Sequence, residues 1–421
     1  MPESNPTHFG PTLMERADRL AAITEEPGRI TRKYLTSQHR EAGELIIGWM
    51  REAGMEAAFD ALGNVVGRYA AAHDDAPVLL TGSHMDSVVD AGRFDGLFGV
   101  LSPLACVADL HARGKRLPFA FEIVAFGDEE GVRFGVSMIG SRALAGRFDY
   151  TALDRSDADG VTMRDALVAF GGDPSAIASL ARQGIAAYVE SHIEQGPVLL
   201  NESLPVGVVT SIAGATRVRV RVEGLAGHAG TVPMPGRRDA LAAAAEMVLA
   251  VEAHCVDRAE TLVGTVGKLA VVGSGAINVI PGAVEFTIDV RSGEDAKRRA
   301  GVAAIETRCR EIAERRGVAL AWEVFFELTA APCDPGLQTA WARSIEALGV
   351  HPRYLPSGAG HDAMEFAALA PIAMLFVRCG NGGISHHPLE TMTPEDADLA
   401  TRVFLHFLEH FEPQGCGTEH R

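Results

Sequence analysis

A strand, a helix and a second strand follow one another early in the chain, and this order constrains the fold more than any other feature. The apolar runs PVLLTGSH (77–84) and FAFEIVAFGDEE (119–130) have the length of buried strands, and GLFGVLSPLACVADLHA (96–112) between them predicts an apolar helix. Strands joined through a helix pair in parallel, and the helix covers one face of the sheet. The predicted fold class is therefore α/β, with a mostly parallel sheet.

Five side chains that can bind divalent metals each lie at the end of a predicted strand or in the turn after it: His84, Asp95, Glu130, His192 and His386. The last two accompany further apolar strands, in IAAYVESHIEQG (185–196) and PIAMLFVRCG (371–380). Because ligands gather at the carboxyl ends of parallel strands, we expect the five to converge. Two metals that share one carboxylate need two further ligands each, which makes five residues, and each metal keeps an open position for water. The pattern predicts metal-assisted hydrolysis, although each residue alone is more typical of a structural histidine or a turn carboxylate.

Two further carboxylates have expected roles beside these ligands. Asp86 follows His84 by two residues, so both side chains leave an extended strand on the same side and Asp86 can orient the imidazole. In GDEEG, the adjacent Glu129 and Glu130 point in different directions, so one can bind metal while the other acts as a base. A solvated acidic loop is the alternative interpretation of GDEEG.

The composition restricts the partners and the compartment. A net charge of −17 over 421 residues argues against nucleic acid and anionic membrane, which would repel an acidic surface, and favours a small-molecule substrate. The opening residues lack the basic start and apolar run of a signal peptide, and no segment keeps about 18 apolar residues free of charge. Six cysteines without a CxxC pair are typical of reduced thiols. We expect a cytoplasmic protein without a membrane span.

A separate α+β domain is predicted before the last strand. From 214 to 327 the sequence alternates in ATRVRVRVEG (215–224), then continues with an Ala-rich helix, two strands, a charged helix and a final strand. This β-α-β-β-α-β order is the split βαβ pattern of ferredoxin-like domains. An exposed edge strand of such a sheet invites pairing with a second copy. We therefore predict a catalytic metal-binding domain, residues 1–213 and 328–421, and an inserted lid and dimerisation domain, residues 214–327.

Seven segments in collinear order resemble those of the M20-type dinuclear-metal amidohydrolases, which cleave ureido and carbamoyl compounds: TGSHMDSVVDAGRFDGLFGV, GDEEGVRFG, SHIEQGPVL, GLAGHAGTVPM, NVIPGAVEFTIDVR, PSGAGHDAM and GGISHHPLE. That family includes N-carbamoyl-L-amino-acid hydrolases, allantoate amidohydrolases and β-ureidopropionases. The resemblance implies two metal-ligand sets that share one residue: His84, Asp95 and His192, and Asp95, Glu130 and His386. It also implies that Glu129 is the general base. The sequence does not select one metal, because His and carboxylate ligands suit Zn, Mn, Co and Ni alike.

A ureido acid also presents a carboxylate, which a planar Arg fork binds best, and Arg291 at the end of FTIDVR is the candidate. Asn278 can add a carboxamide contact, and His228 in the small-residue segment GLAGHAG can donate to a tetrahedral oxyanion. The alternatives are a strand-edge Arg, a turn Asn and an exposed hairpin His. The resemblance implies that these three act with Gln195 and His361 of the catalytic domain. His228 can reach the metals only if the inserted domain closes or a partner subunit donates it.

The predicted protein is a homodimeric amidohydrolase with two divalent metals per subunit. Its expected substrate is an N-carbamoyl-L-amino acid or a related ureido acid, such as allantoate or β-ureidopropionate. A dinuclear aminopeptidase or an N-acyl amino-acid deacylase with the same metals is the enzymatic alternative, and the histidine and glutamine of SHIEQGP favour the ureido branch. A metal-binding protein of this fold without catalysis is the non-enzymatic alternative, and a carboxylate left free as a base at Glu129 argues against it.

Overall fold

The chain forms two compact units. The structure, a computed structural model, describes residues 8–273 and 275–413. Unit 1 takes in the chain up to Thr210, Cys333–Leu355 and the chain from His361 onward, and unit 2 takes in Ser211–Pro332 and Pro356–Gly360. Cys416 lies outside the described residues; the five other cysteines are buried and free.

The helices are α1 Gly10–Ala21, α2 Ser37–Glu52, α3 Leu97–Ala112, α4 Ile139–Leu144, α5 Met163–Phe170, α6 Val198–Asn201, α7 Ala240–Val256, α8 Asp295–Arg316, α9 Pro335–Ala347, α10 Ala363–Phe366 and α11 Pro394–His410. The strands are β1 Glu56–Phe59, β2 Val65–Tyr69, β3 Val78–His84, β4 Ala120–Phe126, β5 Ile185–Ile193, β6 Val206–Ile212, β7 Gly214–Glu223, β8 Gly227–His228, β9 Val263–Val271, β10 Val279–Ile280, β11 Ala283–Ser292, β12 Ala319–Leu328, β13 Ala331–Pro332, β14 Tyr354–Ser357 and β15 Ile372–Val377. Short 3-10 helices span Tyr150–Asp154, Ile177–Leu180 and Asn381–Gly383.

The sheet of unit 1 has the strand order β1-β2-β4-β3-β5-β15-β6. Its central strands β4, β3, β5 and β15 are parallel, and they are apolar because both faces are covered. The outer strands β1, β2 and β6 pair antiparallel with their neighbours. The α/β class is confirmed, but the prediction of a mostly parallel sheet is wrong: the sheet is mixed and parallel only at its centre.

Helix α3 packs on the central strands and so positions the loop before it. It contacts β3, β4 and β5, with α1 and α11 beside it. A Cβ added at Gly99 would lie 2.3 Å from the Ser191 carbonyl oxygen and 2.5 Å from the Ser83 Cβ. Only glycine therefore allows this close approach of helix and strands. Among the described residues, no helix combines the length and apolar character needed to cross a bilayer.

Unit 2 has the β-α-β-β-α-β order, in β7, α7, β9, β11, α8 and β12. Its four strands are antiparallel in the order β12-β7-β11-β9. Burial alternates along β11, and α7 and α8 cover the apolar face. The other face carries ion pairs such as Arg219–Glu323 and Arg221–Glu285. This is the element order that the alternation and helix pattern predict.

Unit 2 extends beyond the predicted residues 214–327 for two reasons. Ser211–Ile212 of β6 pair antiparallel with β13, so the residues that enter and leave the unit form a short ladder. Residues 356–360 also belong to it, and the Gly358 carbonyl oxygen accepts a hydrogen bond from Arg291 at 2.9 Å.

Candidate metal centre

The carboxyl ends of the parallel strands meet along one edge of the sheet of unit 1. His84 is the last residue of β3, and His192 precedes the last residue of β5. Asp95 lies in the loop before α3, next to Gly96, whose φ is 67°. A Cβ added at Gly96 would lie 2.5 Å from the His84 ring. Glycine at this position therefore brings the Asp95 loop against the end of β3.

Asp95 lies at the centre of the predicted ligands. Its Oδ1 is 3.8 Å from Nε2 of His84 and 3.4 Å from Nε2 of His192. Its Oδ2 is 3.1 Å from Nε2 of His386, and that nitrogen is 3.5 Å from Oε1 of Glu130. Within each predicted set, the ligand atoms lie within 4.8 Å of one another. The structure thus brings all five residues together, in two sets that meet at Asp95.

The two buried histidines both turn Nε2 towards Asp95. His84 Nδ1 lies 3.0 Å from the Asp86 carbonyl oxygen. His192 Nδ1 lies 2.9 Å from the Ile193 carbonyl oxygen. Because a carbonyl only accepts, each Nδ1 carries a proton, and Nε2 is the nitrogen that faces Asp95. Burial lowers the pKa of His192 to about 4, so its Nε2 has a lone pair, and His84 offers one when it gives up the proton that its neighbouring carboxylates favour. Two such nitrogens around one carboxylate oxygen fit a divalent metal.

Negative charge also accumulates at this edge. Oε1 of Glu130 is buried and has no hydrogen-bond partner among the described residues. Burial raises the pKa of Glu130 to about 7, and it raises the pKa of Glu129 well above its usual value. Burial opposes a charge on His84, but the neighbouring carboxylates raise its pKa well above the ordinary value. A cluster that attracts protons this strongly also attracts divalent cations, and its imidazole and carboxylate donors suit Zn, Mn, Co or Ni.

The Asp86 carboxylate holds the loop that carries the two adjacent glutamates. Its oxygens accept from the backbone N–H groups of Glu129 at 3.1 Å and Glu130 at 3.2 Å. The sequence predicts that this carboxylate orients His84, and its Oδ1 lies 3.6 Å from Nδ1 of the ring. The Asp86 backbone carbonyl oxygen lies nearer, at 3.0 Å, so backbone and side chain of Asp86 both face this nitrogen.

A second buried cluster lies beside His192. The ligand atoms of Glu190, His192 and His361 are within 4.8 Å of one another. Glu190 already accepts from the Ser83 hydroxyl at 2.9 Å and from the Ala363 backbone N–H at 3.1 Å, so it does not need a metal. The His361 ring packs edge-on against His192, with centroids 4.5 Å apart. The sequence interpretation missed Glu190, although it precedes His192 by the same two-residue spacing that marks Asp86 after His84.

Gln195 lies at the same edge, in a left-handed conformation with φ of 55°. Its Nε2 donates to Asp95 Oδ1 at 3.0 Å and to Ser385 Oγ at 3.4 Å. The amide nitrogen is therefore bound to the shared carboxylate, and the amide oxygen is left for other contacts. Sequence reasoning also missed Ser385 and Glu390, although both belong to the segment GGISHHPLE.

His228 and Asn278 lie together in unit 2. His228 is in β8 and pairs with β10, and the Ala229 backbone N–H donates to the Asn278 carbonyl oxygen at 2.8 Å. Both side chains are exposed. The Gly230 backbone N–H donates to Nδ1 of His228 at 3.0 Å, so the neutral ring carries its proton on Nε2.

Arg291 lies on β11 with its guanidinium already engaged. Its Nε and Nη2 donate to the two oxygens of Asp289 at 2.9 Å and 3.3 Å. Its Nη1 donates to the Gly358 carbonyl oxygen at 2.9 Å. The fork on the Asp289 side is thus occupied within unit 2, and a substrate carboxylate has the outer N–H groups available or must displace Asp289.

A mixed α/β sheet whose parallel edge gathers histidines and carboxylates around one shared aspartate is typical of metal-dependent hydrolases with two ions. The chain belongs to peptidase family M20/M25/M40, whose profile matches residues 80–410. The family and the enzyme class predicted from the sequence, a hydrolase acting on C–N bonds, are thereby confirmed.

Three relatives show what the chain is similar to. An N-carbamoyl-L-amino acid amidohydrolase from Geobacillus stearothermophilus is 42% identical over 400 residues, which cover 94% of this chain and 97% of that protein. Allantoate deiminase 1 from Glycine max is 39% identical over 427 residues, covering 94% and 88%. The crystal structure of an amidase of the hydantoinase/carbamoylase family from Burkholderia multivorans matches with a TM-score of 0.89 at 36% identity, covering 95% and 97%.

Proposed function

We propose that the protein hydrolyses the carbamoyl or ureido C–N bond of an N-carbamoyl-L-amino acid or a related ureido acid, such as allantoate or β-ureidopropionate, with two divalent metals. The observation that carries the proposal is the position of Asp95, whose two oxygens face two separate ligand sets. The names of the relatives support the substrate class, because N-carbamoyl amino acids and allantoate share a ureido group and a carboxylate.

The protein's own side chains supply the proton transfers. When bound, the metals would lower the pKa of a water molecule and polarise the substrate carbonyl. Glu129, with a carboxylate oxygen within 4.8 Å of ligand atoms of His84 and Glu130, takes a proton from the attacking water. Glu129 returns that proton to the leaving nitrogen as the C–N bond breaks. From an N-carbamoyl amino acid, water thus yields the amino acid and carbamate, which decomposes to carbon dioxide and ammonia.

We further propose that His228 stabilises the oxyanion of the tetrahedral intermediate. Its Nδ1 accepts from the Gly230 backbone, so Nε2 carries the proton, as a donor to an oxyanion requires. The remaining proposed substrate contacts are Gln195, Asn278, Arg291 and His361. Arg291 would bind the substrate carboxylate, and the amides of Gln195 and Asn278 would contact the ureido group.

The geometry of unit 2 supports the proposal that two subunits cooperate. His228 and Asn278 lie beyond the Ala283 end of β11. The backbone hydrogen bond from Gly224 to Gly282 continues the pairing of β7 and β11 past this end, and β8 and β10 pair beyond it. Arg291 lies near the other end of β11. It is eight residues after Ala283, which is about 26 Å at the rise of a β-strand. One small ureido acid cannot contact both ends. We therefore propose a homodimer in which His228 serves the site of the partner subunit, with unit 2 as the dimerisation and lid domain.

The test of the proposed function is ammonia release from a panel of N-carbamoyl-L-amino acids, allantoate and β-ureidopropionate. The protein is stripped with a chelator and then reloaded with Zn, Mn, Co or Ni. We expect ammonia from at least one ureido acid after reloading and none before. Full activity of the stripped protein would overturn the metal-dependent mechanism. A cytoplasmic location also remains a prediction.

N-acetyl amino acids and dipeptides serve as the comparison substrates. Amine release from these, without ammonia from any ureido acid, would support the deacylase or aminopeptidase alternative. Two bound metals with no turnover on any substrate would support a metal-binding protein without catalysis.

A further inference from the structure

Glu390 connects two distant segments that carry metal-ligand candidates. The side chain is 1% exposed. Its Oε1 accepts from two successive backbone N–H groups, those of Phe94 at 2.8 Å and Asp95 at 3.2 Å. Its Oε2 accepts from the Ser385 hydroxyl at 2.8 Å, one residue before His386. A single carboxylate thus holds the backbone of the shared aspartate and the segment of a histidine almost 300 residues later in the chain.

The loop beside Glu390 is shaped to admit it. A Cβ added at Gly92 would lie 2.2 Å from the Glu390 carboxyl carbon. The carboxylate therefore lies directly against the backbone that precedes Asp95, and any side chain at position 92 would displace it. This close fit distinguishes Glu390 from a carboxylate that meets a loop by chance.

The hydrogen bonds continue from Glu390 to the side-chain carboxylate of Asp95. Gln195 Nε2 donates to Ser385 Oγ at 3.4 Å and to Asp95 Oδ1 at 3.0 Å. The Ser385 proton goes to Glu390, which is nearer than Asp95 Oδ2 at 3.4 Å. Backbone and side chain of Asp95 are thus both restrained by one connected network.

His386 needs such a restraint more than the other ligands do. Its φ is 54°, a left-handed conformation that a residue with a Cβ rarely adopts, and its side chain is exposed. His84 and His192, in contrast, lie on strands that fix their backbones. The Ser385 hydroxyl, one residue before His386, donates to Glu390, and Glu390 in turn accepts from the Asp95 backbone, so this segment is tied to Asp95.

We infer that Glu390 is a positioning residue that fixes the position of Asp95 relative to His386. It thereby sets the affinity of the metal site formed by Asp95, Glu130 and His386. This inference rests on the proposed dinuclear centre. Loss of an outer hydrogen-bond partner of a metal ligand typically costs 10–100-fold in metal affinity. We expect the larger loss at this site, because its His386 segment also depends on Glu390, whereas the other site shares only Asp95 with it and its His192 is held by a strand.

The test is a metal titration of the full-length protein, without substrate, on wild type, Glu390→Ala and Glu390→Gln. Glu390→Ala should raise the dissociation constant of one of two Zn²⁺ ions by about 10–100-fold and that of the other by a smaller factor. Glu390→Gln should recover most of the affinity, because its amide oxygen still accepts from both backbone N–H groups and its nitrogen can donate to Ser385. Ser385→Ala, which keeps the loop bonds, should have an intermediate effect.

The matched control is Glu122→Ala, which removes another buried carboxylate of unit 1, one that binds Arg68 and Arg182 instead of a ligand segment. It should leave both affinities unchanged. If Glu390→Ala does not fold, Ser385→Ala carries the test. Wild type that takes up fewer than two ions would overturn the proposed centre itself. Two ions in wild type with unchanged affinities in Glu390→Ala and Ser385→Ala would overturn only the role of Glu390.

Discussion

Unit 1 buries three of its candidate metal ligands, whereas unit 2 exposes two of its candidate substrate residues. In unit 1, His84, Asp95 and His192 are buried, and hydrogen bonds with their immediate surroundings orient each of them. In unit 2, His228 and Asn278 are exposed. The difference indicates that the chain builds most of the candidate metal centre from its own core, whereas the exposed candidate substrate residues depend on what comes to contact them.

The energetic consequence follows from burial. A buried polar group that loses its partner costs about 1–3 kcal/mol, so the geometry of the metal centre is expensive to change. An exposed group has water as an alternative partner, so its position is set only on binding. Mutations in unit 1 should therefore act on chemistry and metal affinity, and mutations in unit 2 should act on substrate binding and assembly.

The largest expected effect is that of Glu129→Gln in unit 1. The variant should lose about 10²–10⁴-fold in kcat, since it removes the general base. Its metal content should be unchanged, because Gln cannot take a proton but the predicted ligands remain. The measurements are kcat on the best ureido acid and metal content per subunit, with Glu122→Gln as the control. Loss of an ion from Glu129→Gln would show that the roles of Glu129 and Glu130 are exchanged.

Mixing two inactive variants tests whether the units of different subunits cooperate. Glu129→Gln and His228→Ala chains, mixed in equal amounts and exchanged, should regain about a quarter of wild-type activity. Half of the dimers are then mixed, and each mixed dimer has one intact site. Differently tagged chains confirm the exchange. Mixed dimers that form without any recovery would assign His228 to its own subunit or to no catalytic role.

Arg291→Lys tests the substrate residues of unit 2. It should raise KM about 10- to 100-fold for carboxylate substrates, since a hydrogen bond to a charged group contributes about 1.5–3 kcal/mol and Lys cannot reproduce the fork. A substrate amide without the carboxylate should be unaffected. Arg217→Lys is the matched control, because Arg217 also donates to Asp289, at 3.0 Å, from the same sheet. Equal kinetics of the two variants would return Arg291 to a structural role.

The smallest expected effect concerns His39, a buried neutral side chain of unit 1. The Leu35 backbone N–H donates to its Nδ1 at 2.8 Å, and its Nε2 donates to the Gly63 carbonyl oxygen at 3.1 Å. Burial lowers the pKa of His39 to about 3, against 6.5 for an ordinary histidine. The unfolded chain therefore binds the extra proton below about pH 6.5, and the free energy of unfolding falls as the pH decreases towards 3.

His39→Gln offers one acceptor and one donor, like the neutral His39 ring, but does not titrate. Between pH 7.5 and 5.5, wild type should lose about 1.4 kcal/mol more unfolding free energy than the variant. Urea unfolding of both proteins at both pH values measures this difference. Parallel losses would mean that His39 is not the group that links protonation to the stability of unit 1.

Features that depend on local sequence could be predicted. The runs around β3 and β4 are apolar because both sheet faces are covered, and His84 and Glu130 were found by their places after those runs. The antiparallel outer strands were not predicted, because β1 and β2 are short and lack a distinctive pattern. A short strand can pair in either direction, and the tertiary contacts decide which.

Long-range contacts mark the limit of that reasoning. The Glu390 carboxylate meets the Phe94 backbone across 296 residues of sequence, and no spacing rule connects the two. The hydrogen bonds that the Asp86 carboxylate accepts from the backbone of Glu129 and Glu130, more than 40 residues later in the chain, likewise follow from no spacing rule. Sequence patterns identified which side chains reach the sheet edge, but the partners that hold them depend on the folded backbone.

The ladder between β6 and β13 allows the segment between them, which forms most of unit 2, to be deleted or replaced as one piece. Ile212 lies opposite Ala331 and Ser211 lies opposite Pro332 in antiparallel register, so the entering and leaving chains are already neighbours. A two-residue Asn-Gly turn is a standard link between antiparallel strands and would close the gap if the intervening segment were deleted. The same junction would accept a different folded insert. Evolution or an engineer could thus exchange the inserted segment without rebuilding the sheet of unit 1.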